Sequence, residues 1–266
     1  MKTSIAKLAL GLTLVSMSGV AMAGIASTKH NLGASGSFNF TNATTEICVF
    51  CHTPHGADSS AAVPLWNRNL STGGAYNTYA SLGTSTLDSE STAIGSVSLA
   101  CLSCHDGTQA MDVMINTPGS GSNPSAFSGS GTLTGTGGWE EFQAMSEVSG
   151  EMIYLGTDLR NDHPISIQYA GALTGGTYNR PANDLDFVAA VNTTVASGTT
   201  VYYIDTNGGG KDKHDLPLYN RMGGSLDGQP LVECATCHDP HTTNTTFLRH
   251  DSGNNGSATC LSCHVK

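Results

Sequence analysis

Four times in this chain, two cysteines stand three positions apart with a histidine directly after the second. These Cys-x-x-Cys-His motifs are Cys48–His52, Cys101–His105, Cys234–His238 and Cys260–His264, and together they use all eight cysteines. The pattern is the attachment signature of a c-type haem. The chain is therefore expected to carry four covalently bound haem c groups.

The spacing within each motif suits this chemistry. Cysteines at i and i+3 lie about one helical turn apart, so two thiols can add to the two vinyl groups of one porphyrin. A histidine at i+4 falls on the same face, where its imidazole can bind the iron. The predicted attachment residues are Cys48, Cys51, Cys101, Cys104, Cys234, Cys237, Cys260 and Cys263, and the predicted proximal ligands are His52, His105, His238 and His264.

Three other uses of paired cysteines are a redox pair, a zinc knuckle and a disulfide framework. None of them requires a histidine directly after the second cysteine. Histidine makes up only 10 of the 266 residues, so chance does not account for four such placements. The motifs therefore favour haem attachment over all three.

Six histidines remain for the four distal iron positions. His55 and His241 each end a His-x-Pro-His segment, and Pro54 and Pro240 disfavour continuation of the helix. Both histidines should then turn away from their own haem and reach a different iron. Three residues of extended chain span at most about 10–11 Å, so the two haems would lie almost in contact. The alternative for both is a loop histidine bonded to a propionate.

His30 and His163, each upstream of the first motif of its half, complete the four predicted distal ligands. His214 and His250 lie in charged segments and are expected to be surface histidines, although either could replace one of the four. Methionine is the other possible axial ligand. The methionines beyond the leader are more simply core residues beside a porphyrin; they are Met111, Met114, Met145, Met152 and Met222.

All-histidine ligation closes every iron to substrate and suits electron transfer. No other catalytic constellation is visible in the sequence, so no catalytic residues are assigned and the protein is not expected to be an enzyme.

The N-terminus is typical of a secretion signal. Lys2 and Lys7 precede an apolar run over residues 8–20, and Ala21-Met22-Ala23 forms a cleavage site. The apolar run is shorter than the ~20 residues that a membrane span needs. The sequence predicts removal of residues 1–23 and an exported protein without a membrane span, located at the outer cell surface or in the periplasm.

The formal net charge of −10 disfavours nucleic acid and anionic lipid as partners. It fits cationic or metal-bearing partners, and equally a solvated acidic surface.

The 32 glycines, the 12% of charged residues and the Ser/Thr/Gly-rich stretches over 71–100 and 117–138 predict irregular chain. The predicted fold is loop-rich, with short helices at the motifs and a few short strands, organised around four covalent haems. The strand candidates are Ile165–Tyr169, Val201–Ile204 and Leu231–Glu233.

Motif order indicates two di-haem modules after the signal peptide (residues 1–23). The first, with the Gly/Ser-rich linker, covers 24–149 and the second covers 150–266. In each, a Cys-x-x-Cys-His-x-Pro-His segment is followed by Cys-Leu-Ser-Cys-His. The modules are expected to share one haem core.

Across nearly the whole mature chain, the sequence resembles the doubled-CxxCH multihaem c-type cytochromes. The segments that carry the resemblance are His30–Leu32, Cys48–Gly56, Pro64–Arg68, Cys101–Thr108, Asp162–Ser166 and Cys234–His241. The four-haem count and the secreted form are similar to the filament-forming cytochromes of metal-reducing bacteria.

The resemblance implies bis-histidine haems and self-association into extracellular filaments. In these, a continuous row of haems conducts electrons from partner cytochromes to acceptors such as metal oxides. It favours His30, His55, His163 and His241 as distal ligands, and it implies that one of them crosses between subunits, for which His55 is the choice. Two other functions stay open: a monomeric periplasmic electron shuttle and a multihaem reductase with one open iron.

Overall fold

The structure is a computed structural model, and it describes residues 24–36, 44–70, 76–84, 87, 89–108, 114–118, 154–171, 184–221, 226–250 and 254–265. The predicted signal peptide and nearly all of the predicted linker over 117–138 lie outside the described residues. Four of the five methionines considered as ligands, Met111, Met145, Met152 and Met222, also lie outside them.

Short helices carry all four motifs, as predicted. Helix α1 (Ser96–His105) contains the second motif, α2 (Cys234–Cys237) begins the third, and α3 (Ala258–Cys263) contains the cysteines of the fourth. The first motif begins in a 3-10 helix, Cys48–Phe50. Further 3-10 turns are Gly24–Ser27, Tyr79–Leu82, Thr245–Phe247 and Asn255–Ser257.

The sequence explains where two of these helices end. After α1, Gly107 adopts a positive φ of 69°, a conformation that glycine takes at little steric cost. After α2, His238 is extended with φ −107° and ψ 140°, and Pro240 follows two residues later. Both helices therefore stop at their motif, and the chain that follows can turn towards another part of the molecule.

Within the described ranges, five short strands form two small antiparallel sheets. One pairs β1 (Ile167–Gln168) with β5 (Leu231–Val232), and the other has the order β2 (Val191–Thr194), β3 (Thr200–Ile204), β4 (Leu216–Leu218). Strands β1 and β5 lie in the predicted segments, and β3 begins one residue before its predicted segment. Strand β2 was not predicted. Strand β4 was not predicted because Pro217 at its centre removes a backbone donor, which is tolerated at the edge of a sheet.

The side chains of the described residues form small apolar clusters, and two of these clusters adjoin motif cysteines. The larger cluster lies around the sheets and packs against Cys263; its buried members are Ile167, Tyr169, Ala170, Ala190, Ile204, Leu216, Leu218 and Val232. The smaller cluster contains Trp66, Leu70 and Ala100 and packs against Cys51. Few helices, few strands and much irregular chain confirm the predicted fold class.

Direct hydrogen bonds join the two predicted modules. The Gly95 amide donates to Ser166 Oγ at 3.1 Å, and Ser98 Oγ donates to Glu233 Oε2 at 2.5 Å. The predicted boundary between residues 149 and 150 lies outside the described residues, so the division itself stays a prediction. None of the helices within the described ranges combines the length and the apolar character needed to cross a membrane.

Candidate haem sites

One backbone hydrogen bond fixes the histidine against the first cysteine in three motifs. The amides of His52, His238 and His264 donate to the carbonyls of Cys48, Cys234 and Cys260, at 2.8, 3.1 and 2.9 Å. These histidines have left the helix, and only His105 lies inside one. The helical geometry assumed for the spacing within a motif thus extends to the histidine only in the second motif. The i to i−4 bond still holds the histidine one turn above the first cysteine.

In two motif histidines, Nδ1 is hydrogen-bonded to a backbone carbonyl. Nδ1 lies 2.7 Å from the Pro64 carbonyl in His52 and 2.8 Å from the Thr246 carbonyl in His238. A carbonyl can only accept, so each Nδ1 carries the hydrogen and each Nε2 keeps a free lone pair. This is the arrangement in which protein partners orient a metal-binding imidazole. These two residues are thus prepared to bind iron through Nε2.

Two proximal histidines lie opposite histidines from distant parts of the chain. The ring centroids of His52 and His241 are 6.1 Å apart with an interplanar angle of 19°, and those of His105 and His30 are 6.3 Å apart at 82°. Two imidazoles on opposite faces of one metal ion have centroids about 6 Å apart, because each metal–nitrogen bond is about 2 Å long and each centroid lies about 1 Å beyond its nitrogen. Both centroid separations are close to that value.

Of the two predicted distal ligands in these pairs, His30 is the more buried, and His241 is exposed. Burial, followed by the nearby His105, His241 and His238, lowers the pKa of His30 to about 4. At neutral pH the ring is therefore uncharged and has a lone pair for a metal. Its Nδ1 is buried without a hydrogen-bond partner among the described residues, so no hydrogen bond there fixes its tautomer.

His55 and His163 occupy a different environment, although both were predicted as distal ligands. Both are exposed, and within the described ranges neither ring contacts another histidine. The carbonyl of His55 accepts from Asn116 Nδ2 at 2.7 Å, and Nδ1 of His163 lies 3.0 Å from the Pro164 carbonyl. Their role as ligands stays a prediction.

The two histidines that were expected on the surface are both half-buried. His214 Nδ1 lies 3.5 Å from Asp212 Oδ1. His250 follows Arg249, whose guanidinium pairs with Asp239 at 3.3 Å.

All eight motif thiols are free. Within the described ranges, no group of three or more His, Cys, Asp or Glu side chains could hold a metal ion. A zinc knuckle needs such a group, and a disulfide framework needs paired thiols. Haem requires only two thiols and the axial ligands from the protein, because the porphyrin supplies the other four iron ligands.

Neighbouring thiols connect the motifs in chain order. Burial, then the thiol of Cys104, raises the pKa of Cys51 to about 12. A hydrogen bond with the Cys234 thiol raises the pKa of Cys101 well above its usual value. Such effects require short separations, so the first motif adjoins the second and the second adjoins the third.

The same reasoning joins the third motif to the fourth. Burial, then the thiols of Cys234 and Cys260, raises the pKa of Cys237 to about 11, and Cys263 is affected in turn by Cys237. Cys48 of the first motif and Cys260 of the fourth are exposed. Each motif therefore adjoins the next one along the chain.

Two aromatic residues that the sequence did not single out contact the candidate ligands. Phe247 lies 4.3 Å from His30 and Phe187 lies 4.6 Å from His264, measured between ring centroids. Their sequence neighbours carry no haem motif, so only the fold reveals these contacts.

Asp239 is a further site residue that sequence reasoning passed over. Its Oδ1 lies 2.9 Å from Nδ1 of His241 and its Oδ2 accepts from Arg249 at 3.3 Å. The bond to His241 lowers the pKa of Asp239 to about 2 and raises that of His241. The usable signal was the His-Asp-Pro-His segment, where the first motif has Thr53 at the corresponding position.

A family model described as the doubled CXXCH motif matches residues 229–266, which contain the third and fourth motifs. No curated protein matches the sequence. The family match supports a multihaem c-type cytochrome, a class whose members carry electrons on covalently bound haem.

Replacing Asp239 with Asn should weaken the bond between His241 and iron. The variant loses the carboxylate that orients the ring and raises its basicity, and loss of such a partner typically costs about 10–100-fold in metal affinity. We expect the native low-spin spectrum but displacement of the histidine by cyanide or carbon monoxide at about 10–100-fold lower concentration. Stopped-flow spectroscopy measures this, with Asp158→Asn, which removes an exposed ion pair with Arg160, as the control. Equal ligand displacement in the two variants would contradict the role of Asp239.

Proposed function

We propose that this protein carries four covalent haems, each iron closed by two histidines, and that it passes electrons along them without catalysing a reaction of its own. The observation that carries the proposal is the pair of histidine contacts at 6.1 and 6.3 Å between distant segments. Each contact joins a motif histidine to one that the sequence had selected as a distal ligand. An iron filled on both faces exchanges electrons but has no position for a substrate.

The arrangement of the attachment sites supports transfer along a row. Adjacent motifs contribute thiols that affect each other's pKa, from the first motif to the fourth. The first cysteine of the first motif and the first cysteine of the last are exposed. Electrons can thus enter near one end and leave near the other.

The proposal extends to assembly outside the cell. Secretion, suggested by the N-terminal residues, and resemblance to filament-forming cytochromes favour a homopolymer in which haems of successive subunits continue one row. The electrons would come from redox partner cytochromes and pass to acceptors such as metal oxides. His55 is suited to reach a neighbouring subunit because it is exposed and its ring contacts no other histidine in the described part of the chain.

Negative-stain microscopy of protein purified from the extracellular fraction tests this assembly. We expect filaments of uniform width. Dispersed particles at high protein concentration would overturn the filament proposal and would fit the monomeric periplasmic shuttle instead.

His55→Ala should abolish or strongly reduce filament formation while leaving four covalent haems in each chain. The variant loses the ligand that one subunit lends to the next, so one iron in four should become high-spin. His214→Ala is the matched control, because this histidine lies beside Asp212 and outside the motifs. Size-exclusion chromatography with absorption spectroscopy checks both results, and normal filaments with an unchanged low-spin spectrum would reject His55 as the intersubunit ligand.

A further inference from the structure

An ion pair with a buried carboxylate lies between the second and third motifs. The side chain of Glu233 is 1% exposed and pairs with Arg221, whose side chain is 24% exposed. Burying a carboxylate is costly unless a counter-charge and hydrogen bonds compensate it. Here Glu233 Oε2 accepts from Ser98 Oγ at 2.5 Å and from Ser166 Oγ at 3.1 Å. The carboxylate is thus fully held by the protein.

The contacts of Glu233 connect two haem-bearing segments. Glu233 immediately precedes Cys234, and the amide of Cys234 donates to Ser98 Oγ at 3.0 Å. Ser98 lies one turn before Cys101 on α1, so the two side chains are on the same face of this helix. Ser98 therefore contacts the attachment segments on both sides, and Glu233 fixes its position.

Neighbouring backbone packs closely against the pair. Arg221 Nη1 donates to the carbonyl of Ala93, and the Gly95 amide donates to Ser166 Oγ at 3.1 Å. A side chain at Gly95 would collide with both the Glu233 carboxylate and the Arg221 guanidinium. The charges are consequently confined to one place, next to the junction between the two motifs.

We propose that Glu233 is a positioning residue for electron transfer between the second and third haems, and that its fixed negative charge lowers the reduction potentials of those two haems. Its carboxylate is far less exposed than its arginine partner, so solvent screens the positive charge more than the negative one. A nearby net negative charge stabilises the oxidised, more positive state of iron. Second-shell charges of this kind are among the means by which proteins set haem potentials.

This inference rests on the proposed attachment of haem at Cys101 and Cys234, and it does not depend on filament formation. Intact mass therefore comes first: fewer than four haems per chain would reject the proposed function. With four haems present, the potentials test the inference alone.

The test is a potentiometric titration of the holoprotein with Glu233→Gln. We expect two of the four midpoint potentials to rise, with the haem count and the low-spin spectrum retained. Glu233→Asp keeps the charge and should leave the potentials near those of the native protein. Asp215→Asn removes another buried carboxylate, which accepts hydrogen bonds from the amides of Thr206 and Asp212. This control should shift neither of the two midpoint potentials.

Arg221→Gln gives an independent measurement. It can be used even if the Glu233→Gln protein does not accumulate. It removes the opposite charge from a partly exposed position, so the same two potentials should fall. A purely structural ion pair would lower thermal stability in both variants without opposite shifts. Unchanged potentials in the charge-removing variants, or equal shifts of all four haems, would overturn the proposal.

Discussion

A Cys234→Ala/Cys237→Ala variant is expected to isolate the fourth haem from the first two. Cys234 adjoins Cys101 of the second motif, and Cys237 adjoins Cys260 and Cys263 of the fourth. In the proposed row, the third haem therefore connects the fourth haem to the first two. Removing it should lower the haem count from four to three and destabilise the fold by at least the ~3–5 kcal/mol that loss of one buried aromatic side chain costs.

Paramagnetic NMR of a partly reduced sample measures the electronic consequence. In the native protein all four haems should exchange electrons as one set. In the variant, signals of the fourth haem should separate from those of the first two. Cys260→Ala/Cys263→Ala is the matched control, because it also removes one haem, but a terminal one, and the remaining three should still exchange. Joint exchange of all remaining haems in the first variant would contradict the connected order.

His241→Ala should open the iron that we propose His52 and His241 to share. The two rings lie 6.1 Å apart, and removal of one leaves a coordination position for water or an added ligand. We expect one haem in four to become high-spin and to bind carbon monoxide when reduced, with four haems still attached because all eight cysteines are retained.

His250→Ala is the control for this variant. It lies in the same part of the chain, outside the proposed ligand pairs, and should keep the native low-spin spectrum. Absorption spectroscopy with and without carbon monoxide checks both variants. An unchanged spectrum for His241→Ala would show that another residue binds opposite His52.

The haem attachment sites could be predicted from the sequence because attachment depends only on residues close together in the chain. Two thiols and an imidazole at fixed spacing need only one turn of chain, so Cys101–His105 identifies a site before any fold is known. The helices follow from the same spacing. Their ends depend on neighbours such as Gly107 and Pro240, which are also visible in the sequence.

The positions of the candidate distal ligands depend on long-range packing, so the sequence could predict them only in part. Pro240 indicated that His241 leaves its own motif, but only the fold places this ring opposite His52. The pairing of His30 with His105 spans 75 positions and left no local signal apart from the histidine itself. For His55 the described part of the chain provides no partner histidine.

The charges that surround the haems were the least predictable feature. Asp239 follows its motif histidine directly, yet its contact with His241 depends on the turn at Pro240. Glu233 and Arg221 are 12 positions apart, and their partners Ser98 and Ser166 lie in other segments. Such networks form where irregular segments meet, so no periodic pattern in the sequence predicts them.

Resonance Raman spectroscopy of the assembled ferric protein, on a sample of known haem content, tests the central claim most directly. The account predicts four haems per chain and marker bands of six-coordinate, low-spin iron alone, because two imidazoles close each iron. Bands of five-coordinate, high-spin iron amounting to one haem per chain would contradict it and would favour a reductase with an open site.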